Sequence, residues 1–452
     1  MECSTKNGKE VKLEERKAVE GERHLLEQCW AEAEQKLGID LEQSAREAKA
    51  IQRMRQIRSA SDLLRMILFY TLSDWSLRLV GVWAFMQGIG YMSDVAILKR
   101  LRNSHVWIGK LVVLMLQKRC SALQSMPGIR LRLMDATCVS KPGSHTTDWR
   151  THLCFDLGNL CIDGIELTDK HGGESLVRFA PQSNEIRIAD GAYSFASGMG
   201  PVLAEGGGLV VRINWRNVPV RMPDGQRFEI IPWLHTISGP TERPIWFSTP
   251  QGWFQLRLIA SPLPPEKAEE DRRRARLRNQ RKQLRHQPTE NTLFAAGFIL
   301  LLTNLPAQNW SLPLVLSLYR MRWQIELVFK RLKSLIQYDH VRAKDPRLAQ
   351  TYLLAKLLVA LMLDDLNHQT RCSQPDWFLS LERPVSISRL TQYHLDTFRQ
   401  LVWGRWPIQH PPHLLIVLQR YFCDSPRVRL QQLAWARAWV EHVSFSCLGP
   451  LS

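Results

Sequence analysis

An α+β protein is predicted, in which a mixed sheet drawn from the middle of the chain is interrupted by a β-rich insertion and flanked by all-helical amino- and carboxy-terminal regions. Three observations carry this. Helical periodicity dominates to about residue 120 and again beyond 341, and period-two apolar alternation begins near 130 and recurs up to 214. Between 215 and 290 the chain breaks into short apolar runs separated by Pro and Gly. The expected division is therefore 1–120 helical, 125–214 first half of a core, 215–290 insertion, 291–340 second half of the core and 341–452 helical. At 452 residues the chain is too long for one ordinary core.

In order along the chain, the segment from Glu10 to about Arg58 is rich in Glu, Lys, Arg, Ala and Gln and reads as one or two exposed helices. Ser61 and Asp62 then offer a cap for LLRMILFYTL, a break at Ser73 and Asp74 leads into WSLRLVGVWAFMQ, and Ser93 with Asp94 caps VAILKRLRNS. Lys99, Arg100 and Arg102 ride on the last of these, so that short helices joined by tight turns suit contact with DNA as well as plain solvation. After Met126, Pro127 and Gly128 the period changes. In IRLRLMDATCV, Leu131, Leu133 and Asp135 share one parity of a strand, and EIRIADGAYS repeats this with Ile186, Ile188 and Asp190, placing each aspartate where its strand is expected to end. THLCFDL, GIELTD and GLVVRIN read as further strands, and Ser175 to Phe179 as the start of a short helix.

In the insertion, FEIIPWLHTI, PIWFST and FQLRLIAS read as strands, followed by the basic segment EDRRRARLRNQRKQLRHQ, which suits either a solvated helix or a contact with phosphates. FAAGFILLLTN returns as a buried strand. Tyr319 to Lys333 reads as one amphipathic helix, with Tyr319, Arg322, Glu326 and Lys333 inside an arc of roughly 60° and Met321, Ile325, Val328, Leu332 and Leu335 on a separate apolar side. Beyond it LAQTYLLAKLLVALMLDDL is the strongest apolar helix, and VRLQQLAWARAWVEHV closes a Pro-punctuated tail.

Sixty Lys and Arg against 43 Asp and Glu leave a net charge of +17, which points to a polyanion. A membrane is disfavoured, because the amino terminus is too charged for a signal peptide and runs such as Leu357 to Leu363 are short for a bilayer. Nine cysteines, none in a CxxC pair, argue against both a disulfide framework and a zinc finger. Two aspartates and a glutamate from distant parts of the chain would repel one another unless a cation lies among them, and oxygen ligands favour Mg²⁺ or Mn²⁺ over zinc. Two such ions suit in-line phosphodiester transfer. Asp148, Asp156, Asp163, Asp169 and Glu174 lack the strand-end parity or fall in turns and read as solvated or capping, with Glu174 also a candidate accessory acid.

The spacing Tyr-x2-Arg-x3-Glu-x6-Lys at Tyr319, Arg322, Glu326 and Lys333, the Asp-Ala-Thr at Asp135, the DGAY at Asp190 and the β insertion resemble the DDE transposases of bacterial insertion sequences, specifically the branch carrying this signature. The resemblance runs from about Asp62 to His340. It implies a ribonuclease H-like core, Asp135, Asp190 and Glu326 as catalytic ligands of two Mg²⁺ or Mn²⁺ ions, and DNA contacts from Tyr319, Arg322 and Lys333, joined by Lys330 and Trp323 on the same helix. It also implies double-stranded DNA as partner, a paired complex of two copies, and action at the bacterial nucleoid in the cytoplasm. Relatives place a base-stacking Trp in the strand before this helix. Here Phe298 is the nearest aromatic in that strand, with Trp253 and Trp323 as other candidates. Three other readings are a DNA-binding derivative that represses, a metal nuclease without strand transfer, and a carboxylate-pair hydrolase of sugars, the last at odds with the basic charge.

Overall fold

The computed structural model describes residues 21, 24–52, 56–124, 128–216, 218–281, 288–373, 385–405 and 421–423. The segment VRLQQLAWARAWVEHV, most of the Pro-punctuated tail, and the first part of the Glu10–Arg58 segment lie outside these residues. The chain divides into two compact units. One comprises Met1–Leu123, Cys138–Trp149 and Lys330–Leu430, and the other Gln124–Thr137, Arg150–Phe329 and Gln431–Ser452.

The second unit is built on a nine-stranded sheet of order β3-β2-β1-β4-β5-β9-β8-β7-β6. Its strands are β1 (Arg130–Val139), β2 (Trp149–Asp156), β3 (Cys161–Asp169), β4 (Glu185–Ala189), β5 (Gly208–Arg212), β6 (Val220–Arg221), β7 (Thr241–Thr249), β8 (Gly252–Pro262) and β9 (Phe298–Thr303). The central β1, β4 and β5 run parallel, while β9 is antiparallel to β5 and to β8. The strands of the insertion thus continue the sheet across β9, with β7 and β8 paired along their whole length.

Alternation sorts the two faces. Met134, Ala189 and Val211 lie side by side and join Leu300, Leu302, Leu256 and Leu258 in one large apolar core. Leu131, Leu133, Ile186 and Ile188, all nearly or fully buried, point to the opposite face, as the period-two parity predicts.

Several expectations change in the structure. FEIIPWLHTI is not a strand: Ile230–His235 form a helix beginning after Glu229, whose buried Ile230, Ile231, Trp233 and Leu234 pack on the core. Pro232 lies in its first turn, where a missing N–H costs little, whereas in a strand it would remove a ladder donor. FAAGFILLLTN splits at Gly297 into a helix, Glu290–Ala295, and β9. β1 continues four residues past Asp135, so this aspartate ends the ladder with β4 but not the strand.

The single helix expected over Tyr319 to Lys333 is two. Leu312–Arg320 ends in a tight turn at Met321 and Arg322, and Trp323–Ile336 begins the next helix. Within the turn the Arg322 N–H donates to Tyr319 O and the Gln324 N–H to Met321 O, closing bonds three residues apart. The apolar side survives the break, with Met321, Ile325, Val328 and Leu332 buried.

In the helical unit, Ala60–Leu72 is capped by Ser59, two residues earlier than expected, and Asp94–Asn103 by Ser93 as expected. Its core helix, Pro346–Ser373, is far longer than the Leu357–Leu363 run and, by length and hydropathy, long enough to cross a bilayer. However, 78% of its most apolar window is buried inside the protein, as a core helix requires. The seven described cysteines are all free thiols.

Candidate active site

Register places the two aspartates. In the parallel pair of β1 and β4, Leu131 faces Ile186, Leu133 faces Ile188 and Met134 faces Ala189, so Asp135 and Asp190 occupy the next level. Paired residues of parallel strands project to the same face, which brings both carboxylates to one end of one face of the sheet. The Asp190 carboxylate accepts from the Ala192 N–H at 2.9 Å and so caps the 3₁₀ turn Gly191–Tyr193. Asp135 accepts from the Ala136 N–H at 2.8 Å.

Glu326 arrives from the first turn of the helix Trp323–Ile336, and Arg322 ties it to the first strand. The guanidinium donates from Nη2 to Glu326 Oε1 at 2.5 Å and from Nη1 to Asp135 Oδ2 at 3.4 Å. Burial, together with the charges of Asp190 and Glu326, pushes the Asp135 carboxyl up to about 6, even though the Ala136 N–H and Arg322 pull the other way. Burial works against charge on Arg322, yet Tyr319, Asp135, Glu326 and Asp190 together raise it further. A carboxylate that burial and its neighbours disfavour, next to two others, is the electrostatic setting that a cation relieves. Among the described residues no three acidic, His or Cys groups are closed tightly enough to form a ready-made metal cage. Between Asp135 and Glu326 the positive charge is supplied by Arg322, and the hard-oxygen donors are of the kind that suits a divalent ion.

The other expected residues fall in different places. Tyr319, at the end of the preceding helix, is 8% exposed, with burial raising its phenol, so it is not on an open polar stripe. Lys330 is exposed and Lys333 half-buried, four and seven residues beyond Glu326 on the same helix. Trp323 is half-buried at its start. Phe298 shares the parity of Leu300 and Leu302, so it projects to the face opposite the aspartates, where its ring lies 5.3 Å from that of Phe294. Trp253 is 51% exposed but sits nine residues before Pro262 on β8. Pro262 pairs with Phe298 and Arg212 with Leu301, so it is the end of β8 that lies at the carboxylate end of the sheet, and Trp253 is about 30 Å away along the strand.

Two of the acids expected to be solvated or capping are not solvated, although Asp156 does cap a turn, accepting from the Asn159 N–H at 2.9 Å. Asp156 and Asp163 are each 1% exposed and belong to a buried ion network on the far face of β1. Glu174 is close enough to Asp190 for its charge to add to the effect of burial in raising the Glu174 carboxyl, while Arg150 opposes. Tyr193, the Tyr of DGAY, is buried within the field of Asp135 and Asp190, which adds to burial in raising its phenol. Its place in the motif was the only sequence sign of this.

Carboxylates stand together at one end of a mixed sheet, in a chain whose net charge of +17 suits a polyanion. The family model described as Transposase DDE domain matches residues 126–363. The chain is 41% identical over 336 residues to the transposase for insertion sequence element IS421 of Escherichia coli, covering 72% of this chain and 90% of that protein. It is equally similar, over 335 residues, to the InsL protein of element IS186A of Escherichia coli strain K12. A synaptic complex of piggyBac transposase with hairpin DNA aligns over 85% of this chain and 81% of its own, at 11% identity and a TM-score of 0.43. The chain belongs to the DDE transposases of bacterial insertion sequences. It is an enzyme of DNA transposition, and the family's chemistry depends on divalent metal ions.

Proposed function

We propose that this transposase cleaves the ends of its own element and joins the freed 3′-hydroxyl to target DNA by in-line phosphodiester transfer, with Asp135, Asp190 and Glu326 as the catalytic ligands of two Mg²⁺ or Mn²⁺ ions. The observation that carries this is the register that sets Asp135 level with Asp190, together with the Arg322 bridge from Asp135 to Glu326. Bound there, the ions would lower the pKa of a water or 3′-hydroxyl and stabilise the leaving oxygen. Asp135 within β1 and Asp190 just past the end of β4 each have a carboxylate fixed by a backbone N–H. Arg322, which bridges Asp135 and Glu326 in the structure, would be free to contact a DNA phosphate with a cation bound at those carboxylates. Lys330 and Lys333 reach the same backbone from the following turns, and Tyr319 and Trp323 border the site.

The parallel trio β1, β4 and β5, with β2 and β3 on its outer edge, supports a ribonuclease H-like reading of this half of the sheet. An element has two ends and each chain one such site, so two copies pair on double-stranded DNA at the nucleoid in the cytoplasm. The amino-terminal helices serve end binding, and the helices beyond residue 341 serve assembly.

The test incubates the protein with its element's ends, target DNA and Mg²⁺ and resolves products on a denaturing gel. Cleaved ends and joined strands are expected, and both should disappear with Glu326→Gln while DNA binding persists. Cleavage without joining would leave a nuclease, and binding without either would leave a repressor.

A further inference from the structure

We infer that the buried ion network centred on Arg132, Glu185 and Arg187, on the reverse side of the catalytic strands, is a register lock that keeps Asp135 level with Asp190; it rests on the reading of those aspartates as divalent-ion ligands.

The apolar face alone specifies the register poorly. Leu131 and Leu133 of β1 lie against Ile186 and Ile188 of β4. If β1 slides by two residues, every side chain keeps its face and one Leu still meets one Ile, while Leu133 comes opposite Asp190 or Asp135 opposite Ile188. Such a slip carries Asp135 about 7 Å past Asp190, beyond the reach of a pair of ions about 3.5–4 Å apart. Hydrophobic burial would lose one of these two Leu–Ile contacts and keep the other, whereas the site would be lost outright.

The charged face is not degenerate. In register, Arg132 lies directly opposite Arg187, and Arg130 opposite Glu185. Two guanidinium groups side by side are tolerated because the Glu185 carboxylate sits between them, accepting from Arg132 Nη1 at 2.8 Å and from Arg187 Nε at 2.6 Å. Arg132 Nε donates to Asp163 at 2.8 Å, and Arg130 donates to Asp163 at 2.5 Å and to Asp156 at 3.2 Å. Arg187 also donates to the carbonyl oxygens of Leu176, Phe179 and Ala180, which fixes it to β4's own side of the sheet. All six side chains are 7% exposed or less, three cations against three anions. Slide β1 one way and Arg130 takes the place of Arg132 while Arg132 moves opposite Ala189, leaving Asp156 without its guanidinium; slide it the other way and Arg132 takes the place of Arg130 while Met134 meets Arg187, leaving Glu185 with one partner fewer. Either slip strands a buried charge, which costs far more than exchanging one apolar contact for another. The network acts on the metal ligands through the strands, so its members are positioning residues.

The test is Mn²⁺ binding by the full chain without DNA, read by the electron paramagnetic resonance of free Mn²⁺, in wild type, Asp135→Asn, Glu185→Gln and the triple variant Arg132→Met, Glu185→Met, Arg187→Met. The triple variant replaces three of the six charges with apolar side chains of similar length, which keeps the interior filled and removes the charges that tie β1 to β4, while Arg130 keeps Asp156 and Asp163. Both lock variants should fold, as shown by unchanged far-ultraviolet circular dichroism, and bind Mn²⁺ roughly 10–100-fold more weakly, the range seen when groups that orient metal ligands are lost. A network that served stability alone would lower the unfolding midpoint and leave the Mn²⁺ affinity of the folded protein unchanged, which would overturn the proposal. If Asp135→Asn binds Mn²⁺ as wild type does, the metal-ligand reading fails and the lock with it. If Asp135→Asn loses the ion but the lock variants retain it, the lock alone fails. Should Glu185→Gln not fold, the triple variant decides; its own failure to fold would mean that the network holds the fold rather than the register, and would equally overturn the proposal.

Discussion

Asp135→Asn should stabilise the metal-free protein while destroying its chemistry. In the structure the Asp135 carboxyl is pushed up from 3.8 to about 6, first by burial and then by Asp190 and Glu326, and the side chain is 19% exposed. Each tenfold change in proton affinity is worth about 1.4 kcal/mol, so the ionised form costs the folded state about 3 kcal/mol. The sign follows from proton binding. Between about pH 4 and 6 the folded protein holds this proton more tightly than the unfolded chain, so stability falls as pH rises through that window. The cost is fully present above pH 6 and absent below about pH 4. Asn keeps the shape and carries no charge, so at pH 7.5 it should raise the free energy of urea unfolding by up to about 3 kcal/mol, and at pH 4 by nearly nothing. Adding Mn²⁺ should reverse the order: at one hundred times its dissociation constant the ion adds about 2.7 kcal/mol to a wild type that binds it, and little to the variant. Equal gains at both pH values, or an Mn²⁺ effect shared by both proteins, would refute the reasoning.

Three further predictions follow from the same geometry. Lys333→Ala should weaken binding to end-containing duplex and reduce the slope of log affinity against log salt by about 0.9, the release of one counterion; an identical slope would exclude a phosphate contact. Excess chelator should stop cleavage while a gel-shift assay still shows bound DNA, and cleavage persisting in chelator would remove the metal from the mechanism. Gly208→Ala would place a Cβ 2.7 Å from Ile186 Cγ1 and 3.0 Å from Leu305 Cδ2, so the β4–β5 contact must shift; a loss of about 1–3 kcal/mol in unfolding free energy is expected, and no loss would show that the strands can part there freely.

Local chemistry was legible where the signal lay within one element. Parity put Asp135 with Leu133 and Asp190 with Ile188, and the structure keeps both on the face those residues define. Ser93 and its following Asp94 open a helix as read, because a cap is decided by one side chain and the N–H groups two or three residues on. FEIIPWLHTI misled because apolar runs of this length suit either a strand or a buried helix turn, and packing on the core arbitrated. Asp156 and Asp163 read as solvated or capping acids; Asp156 does cap a turn, but their buried pairing was hidden because the partners, Arg130 and Arg132, come from another strand, and no local pattern reveals a pairing across the sheet.

By itself, then, the amino-acid sequence determined the chemistry available: which residues are acidic, on which parity of their strands they stand, and the Tyr, Arg, Glu and Lys spacing that marks the family. Only tertiary structure decided their meeting. The offset that sets Asp135 beside Asp190, the turn at Met321 and Arg322 that aims Glu326, and the β9 bridge joining the insertion to one sheet are long-range choices. Period and propensity act over a few residues, whereas register between distant strands is selected by what both faces bury together.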